Sequence, residues 1–161
     1  MTDLVSESHS ALVHLAPHLK RYAKKMDIVD TQLNDLICAV SDKCDVEEAL
    51  HLVEAGIDVN YSTAAGCTPL MFAVIPNEFG DRNGSAAIKG MVKALLNAGA
   101  DPSLSDRAGM TASSYAKQWL DPDWTDQFGK SAFECLLPGD VEIFNEVIDL
   151  LERSTEQTNG A

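Results

Sequence analysis

Gly66-Cys67-Thr68-Pro69-Leu70, answered downstream by Leu95-Leu96-Asn97-Ala98-Gly99-Ala100-Asp101, is the stretch that decides how this chain folds. Thr68 is a residue type that caps a helix N-terminus, and Pro69 suits a first turn, where a missing N–H costs little. Gly99 suits the left-handed residue that ends a helix. The stretch therefore predicts one helix starting at Pro69 and a second closing just before Gly99. Its surroundings repeat. Glu54-Ala55-Gly56-Ile57-Asp58-Val59-Asn60 is matched by Asn97-Ala98-Gly99-Ala100-Asp101-Pro102-Ser103, and Ala65-Gly66-Cys67-Thr68 by Ala108-Gly109-Met110-Thr111. Gly56 to Gly99 and Gly66 to Gly109 are both separated by 43 positions. Self-similarity at a constant spacing is the signature of a repeat architecture.

These residues resemble the ankyrin repeat, whose pattern opens a helix with glycine-threonine-proline-leucine, ends a second with paired leucines, and closes on glycine-alanine-aspartate. The resemblance implies an all-α solenoid of about three repeats with an N-terminal capping helix and two inter-helix insertions. The repeats are expected at about 32–62, 63–105 and 106–154, after a helical cap over 1–31 and before a flexible tail over 155–161. In the first repeat Leu36 to Val40 is one helix and Asp45 to Ala55 the next. There Val46, Ala49, Leu50 and Val53 form an apolar stripe, and Glu47, Glu48, His51 and Glu54 face out. The third opens at Gly109-Met110-Thr111-Ala112, and its second helix, Val141 to Arg153, carries Ile143, Phe144, Val147, Ile148 and Leu151 as its core. No Gly-Ala-Asp follows, so this repeat should cap the stack, and the polar end should be mobile. Leu12, Leu15, Leu19, Tyr22 and Met26 recur at helical spacing and would cover the other end.

An ankyrin unit of about 33 residues is shorter than the spacing found here, and the excess falls where Pro76 to Ser85 breaks the helical pattern. That segment reads as a loop between two helices. A longer insertion spans roughly Leu120 to Asp140 and holds Trp124, Phe128 and Phe133. Insertions in a solenoid emerge on one side, where a partner can meet them. Trp119 and Trp124 flank Asp121-Pro122-Asp123 and admit two readings: binding anchors, or a cover folded down on the terminal repeat.

The chain has 161 residues, enough to bury a real core, and its apolar share of 45% and charged share of 23% are those of an ordinary globular protein. Twelve Lys and Arg stand against 25 Asp and Glu, a formal charge of −13 that repels nucleic acid and anionic lipid and favours a basic partner. No apolar run is long enough to span a bilayer. Met1 to Ser10 has no Lys or Arg, and the apolar run Ala11 to Leu19 is broken by His14, Pro17 and His18, so no export signal is expected and the protein should stay in the cytoplasm. The 4 cysteines, Cys38, Cys44, Cys67 and Cys135, read as reduced thiols, three of them among apolar neighbours.

Candidate chemical sites are poor. Cys38, Cys44 and His51 match no common zinc spacing, and His9, His14 and His18 lack a ligand set. Asp121, Asp123 and Asp126 lack the turn glycine and distal glutamate of a calcium loop. No phosphate loop, metalloprotease helix or nucleophile elbow appears, so neither an enzyme nor a cofactor or metal is expected. The resemblance instead implies protein binding. Carried over position by position, its contact residues are Tyr61, Ser62, Ala64, Ala65 and Cys67, then Leu104, Ser105, Arg107, Ala108 and Met110, with Ile75, Gln118 and Trp119 at helix ends. The insertions add Arg82, Asp121, Asp123 and Trp124. Small, acidic, irregularly decorated repeat proteins of this kind are similar to immunity proteins that neutralise bacterial toxins, and a basic toxin or enzyme domain is the partner so implied. The alternatives are an adaptor, regulator or host-directed effector, and an acidic mimic of nucleic acid. The chain is expected to be a monomer alone and a heterodimer with its partner, bound to neither nucleic acid nor membrane.

Overall fold

A computed structural model describes residues 31–76 and 80–160, without the side chains of 80–83. The N-terminal cap expected over 1–31 falls outside the described residues, Thr31 excepted, and the side chain of Arg82 and the final residue Ala161 do so as well. Helix α1 is described over 31–37 and passes into a π-helical turn, Cys38–Asp42. Helix α2, Val46–Glu54, starts where the Asp45 carboxylate accepts the Glu48 N–H at 3.0 Å. Helix α3, Pro69–Val74, has Pro69 in its first turn and is capped by Thr68, whose hydroxyl accepts the Met71 N–H at 3.4 Å. Helix α4 is Gly80–Asn97, α5 is Ala112–Gln118, and α6 is Asp140–Asn159. Among the described residues the only β-structure is an isolated bridge, Ser105 to Thr111.

The fold is all-α, as the repeat pattern requires. Within the middle repeat α3 packs on α4, within the last α5 packs on α6, and across the repeat boundary α3 meets α5 and α4 meets α6. The core runs through them as one cluster: Leu36, Ala39 and Val40, then Leu70, Met71 and Val74, then Met91, Val92 and Leu95, and finally Ala116, Phe144, Val147 and Leu151. Ala49 of α2 is buried and Val46 and Val53 pack against the cluster, but it is Leu52, not Leu50, that joins them. Among the described residues no helix is long and apolar enough to cross a membrane.

The structure departs from the sequence expectations at both insertions and at the tail. The segment expected as a loop over 76–85 has helical backbone from Gly80, interrupted at Gly84 with φ 66° and ψ 150°. That backbone is open to glycine and closed to other residues, so the chain changes direction there before the second helix of the repeat proper begins. Ser85, just past the break, is buried and donates to the Asp140 carboxylate at 2.5 Å, tying this point to the start of α6. The last helix does not stop at Arg153 but continues to Asn159, through most of the polar tail. The cysteines are free; Cys38 and Cys135 are exposed, whereas Cys44 and Cys67 are half-buried and pack against the core.

Candidate functional site: a stack of repeated turns

The turns between repeats are built from short polar residues that accept backbone N–H groups. Asp58 accepts the N–H of Asn60 at 2.8 Å, and Asp101 accepts that of Ser103 at 2.9 Å, so the two aspartates found in register hold the same bend. Asn60 then joins one closing turn to the next. Its side-chain nitrogen donates to the Gly99 carbonyl at 3.0 Å and its oxygen accepts the Asp101 N–H at 2.7 Å. Beyond each bend comes a tighter turn. Thr63 N–H donates to the Cys67 carbonyl at 3.0 Å and Gly66 N–H to the Thr63 carbonyl at 2.8 Å; Asp106 and Met110, then Gly109 and Asp106, repeat the pair at 3.0 Å each. Gly66 and Gly109 supply the positive φ, 85° and 79°.

These two tight turns lie against one another. The Arg107 N–H donates to the Ala65 carbonyl at 3.0 Å, and a Cβ on Gly66 would come within 3.1 Å of Arg107 N and Asp106 Cα. Glycine is needed at 66 for space as well as for φ. Asp106 is the hub of the contact. One oxygen accepts the Ala108 and Met110 N–H groups at 2.8 and 2.9 Å, and the other accepts the Tyr115 hydroxyl and, at 3.9 Å, the Cys67 thiol. The Tyr115 hydroxyl above all, with those N–H groups, holds the Asp106 carboxyl below its ordinary range. Burial, then the Asp106 carboxylate, pushes the Tyr115 hydroxyl up. Burial, followed by Asp106, also raises the Cys67 thiol; burial and then Asp42 raise Cys38, and burial raises Cys44. Among the described residues no three His, Cys, Asp or Glu converge as metal ligands.

Of the residues proposed for contact, Tyr61, Ser62, Ala64, Ala65, Ser105, Arg107 and Ala108 are exposed on these turns, and Cys67, Leu104 and Met110 are half-buried beside them. Ile75 and Gln118 are half-buried at their helix ends, and Asp121 and Asp123 are exposed. Trp119 does not belong to the surface. It is 3% exposed, its indole N–H donates to the Val74 carbonyl at 2.7 Å, and its ring stacks on Phe144 with centroids 4.7 Å apart. The indole satisfies the carbonyl at the end of α3 while filling the space between α3 and α6, so of the two readings open for Trp119 the core one holds. Trp124 is half-buried and packs against the same core.

The insertion over 120–140 contains a further copy of both turns. Asp121 accepts the Asp123 N–H at 2.9 Å, as Asp101 accepts that of Ser103. Asp126 N–H donates to Lys130 at 2.9 Å, Gly129 N–H donates to Asp126 at 3.0 Å, and the Asp126 carboxylate accepts the Phe128 and Lys130 N–H groups at 2.8 and 2.9 Å. These are the bonds of Asp106 to Met110, repeated, with Gly129 at φ 77°. The sequence carried the signal: Asp101-Pro102-Ser103-Leu104-Ser105-Asp106 is echoed by Asp121-Pro122-Asp123-Trp124-Thr125-Asp126, and Gly109-Met110-Thr111-Ala112 by Gly129-Lys130-Ser131-Ala132. A search at the longer spacing passes over it, because no second helix separates the two copies. Asp121 and Asp126 are turn formers, each placed by the backbone N–H groups it accepts.

This is a stack of helices with short bonded turns along one edge, the class of helical repeat that binds other macromolecules. Residues 65–107 match the family model for the ankyrin repeat. No curated protein matches it. The ankyrin repeat is a module for protein–protein interaction.

Proposed function

We propose that this chain is an immunity protein: a small ankyrin module that binds a basic bacterial toxin or enzyme domain and neutralises it by covering its working surface. The observation that carries the reading is the bonded pair of turns, in which the Arg107 N–H to Ala65 bond joins Tyr61, Ser62, Ala65, Ser105 and Arg107 into one exposed and preorganised face. A surface already ordered loses little conformational entropy on binding. The net charge of −13 adds speed, since long-range attraction raises the rate of encounter with a cationic enzyme. Neutralisation needs speed as much as affinity.

Two experiments test this. Coexpression with a toxin whose gene is found next to this one should restore growth, and continued killing at full expression of both would remove the immunity role. Replacing Tyr61 and Arg107 by alanine, with helicity unchanged by circular dichroism, should weaken binding to that toxin roughly tenfold, the scale of a central interface residue. Trp119 is left intact because its loss would unsettle the core.

A further inference from the structure

The third tight turn ends in a helix that stops almost at once. In the first two, Thr68 and Thr111 accept the N–H groups of Met71 and Ser114 and a helix follows. At the third, Ser131 takes the same place, but its hydroxyl is buried without a partner and only a 3-10 turn forms, Phe133–Cys135. Pro138-Gly139 lies ahead, Gly139 has φ 93°, and Leu137, preceding a proline, is biased to extended backbone. The apolar pattern nevertheless continues. Counted from the turn glycine, Leu70 and Val74 of α3 correspond to Phe133 and Leu137. Val74 is fully buried, whereas Leu137 is 70% exposed and Phe133 also lies open. Phe128, at the tip of the turn where Ala65 and Ala108 stand in the others, is 79% exposed, and Val141 of α6 is open as well. All but one of the large apolar side chains exposed among the described residues lie in 128–141, the exception being Tyr61.

We propose that this unfinished repeat, residues 126–141, docks a partner protein whose apolar segment, flanked by Lys or Arg, supplies the missing layer and receives Phe128 and Leu137. The inference rests on the reading of the chain as a protein-binding module and names the element that anchors it. Large apolar side chains standing open together at positions that are core in α3 call for a cover. Charge selects it. Exposed Asp123 and Glu142 flank the stretch and exposed Glu134 lies within it, and a second copy of this chain would bring the same excess of acid to meet them. A partner with basic residues around an apolar centre meets both features.

The test is site-specific photocrosslinking of the full chain in cells that produce it, with benzoylphenylalanine at 128, 137, 61 or, as a remote control, 54. Positions 128 and 137 should join the same polypeptide through a segment in which apolar residues are flanked by Lys or Arg, and position 54 should not. A synthetic peptide of that segment should bind the chain and lose roughly tenfold or more in affinity with Phe128→Ser or Leu137→Ser, both exposed and so without cost to folding. Adducts confined to position 61, or a mapped segment lacking basic residues, overturn the docking element and leave protein binding standing. Adducts between two copies of the chain at 128 replace the partner by self-association. No adduct at any position overturns both the docking element and the protein-binding reading beneath it.

Discussion

Helix α3 and the segment after Gly129 start from the same turn and end differently. Thr68 caps its helix, Leu70 and Val74 are buried, and the indole of Trp119 reaches back to the Val74 carbonyl. Ser131 caps nothing, and Phe133 and Leu137 face solvent. The turn chemistry is therefore local and portable, whereas helix length and burial depend on the chain beyond the turn and on the helices packed against it. Helix α3 has α4 and α5 against it, while the later segment meets Pro138-Gly139 before one full helix has formed. A repeat can keep its signature and lose its layer.

The contrast can be broken most severely at Trp119. Trp119→Ala removes the ring stacked on Phe144 and strands the Val74 carbonyl, and should cost about 3–5 kcal/mol in urea unfolding. A loss below about 1 kcal/mol would mean that the indole is not what closes the middle repeat. Next come the turn glycines. Gly129→Ala meets nothing within 4 Å and should cost only the left-handed backbone, about 1–2 kcal/mol. Gly66→Ala carries the same penalty and also presses on the backbone of Asp106 and Arg107, so its midpoint should fall further. Equal midpoints would mean that the stacked turns readily move apart.

The caps give smaller effects, and the two regions differ in sign. Thr68→Ala and Thr111→Ala should each cost about 1 kcal/mol, because each hydroxyl holds a helix N–H. Ser131→Ala removes a buried hydroxyl with no partner and should leave stability unchanged or raise it. A clear loss there would reveal a partner for Ser131 in solution. The smallest effect is the acid response of the hub. The Asp106 carboxyl titrates below its ordinary value of 3.8, so its contribution is complete above that pH and disappears as pH falls through the lower folded value. Tyr115→Phe removes the main cause of the shift, and its unfolding midpoint should approach that of the parent protein below pH 3.8 while lying under it at pH 7.

Thr68, Pro69 and Gly99 identify the middle repeat because capping, first-turn proline and left-handed glycine are decided within a few residues of chain. The register of Gly56 with Gly99 locates the closing turns for the same reason, and the stripe of α6 was legible from its period. The contact face was legible in part. Tyr61, Ser62 and Arg107 are exposed where the pattern puts them, but Trp119 was not separable from a surface anchor, since the partner of its indole lies in another repeat. Asp106 is not distinguished by its place in the sequence, because its hydrogen bonds converge from two turns and a helix.

The sequence alone determined the repeat, its caps, its turns and the acidic balance of the whole, all of which come from local backbone preference and composition. Tertiary structure decided which aromatic is core and which is open, and that the segment after the insertion's turn is left without the cover that α3 has. Burial belongs to the packing of one layer on the next, and that is a property no single segment carries.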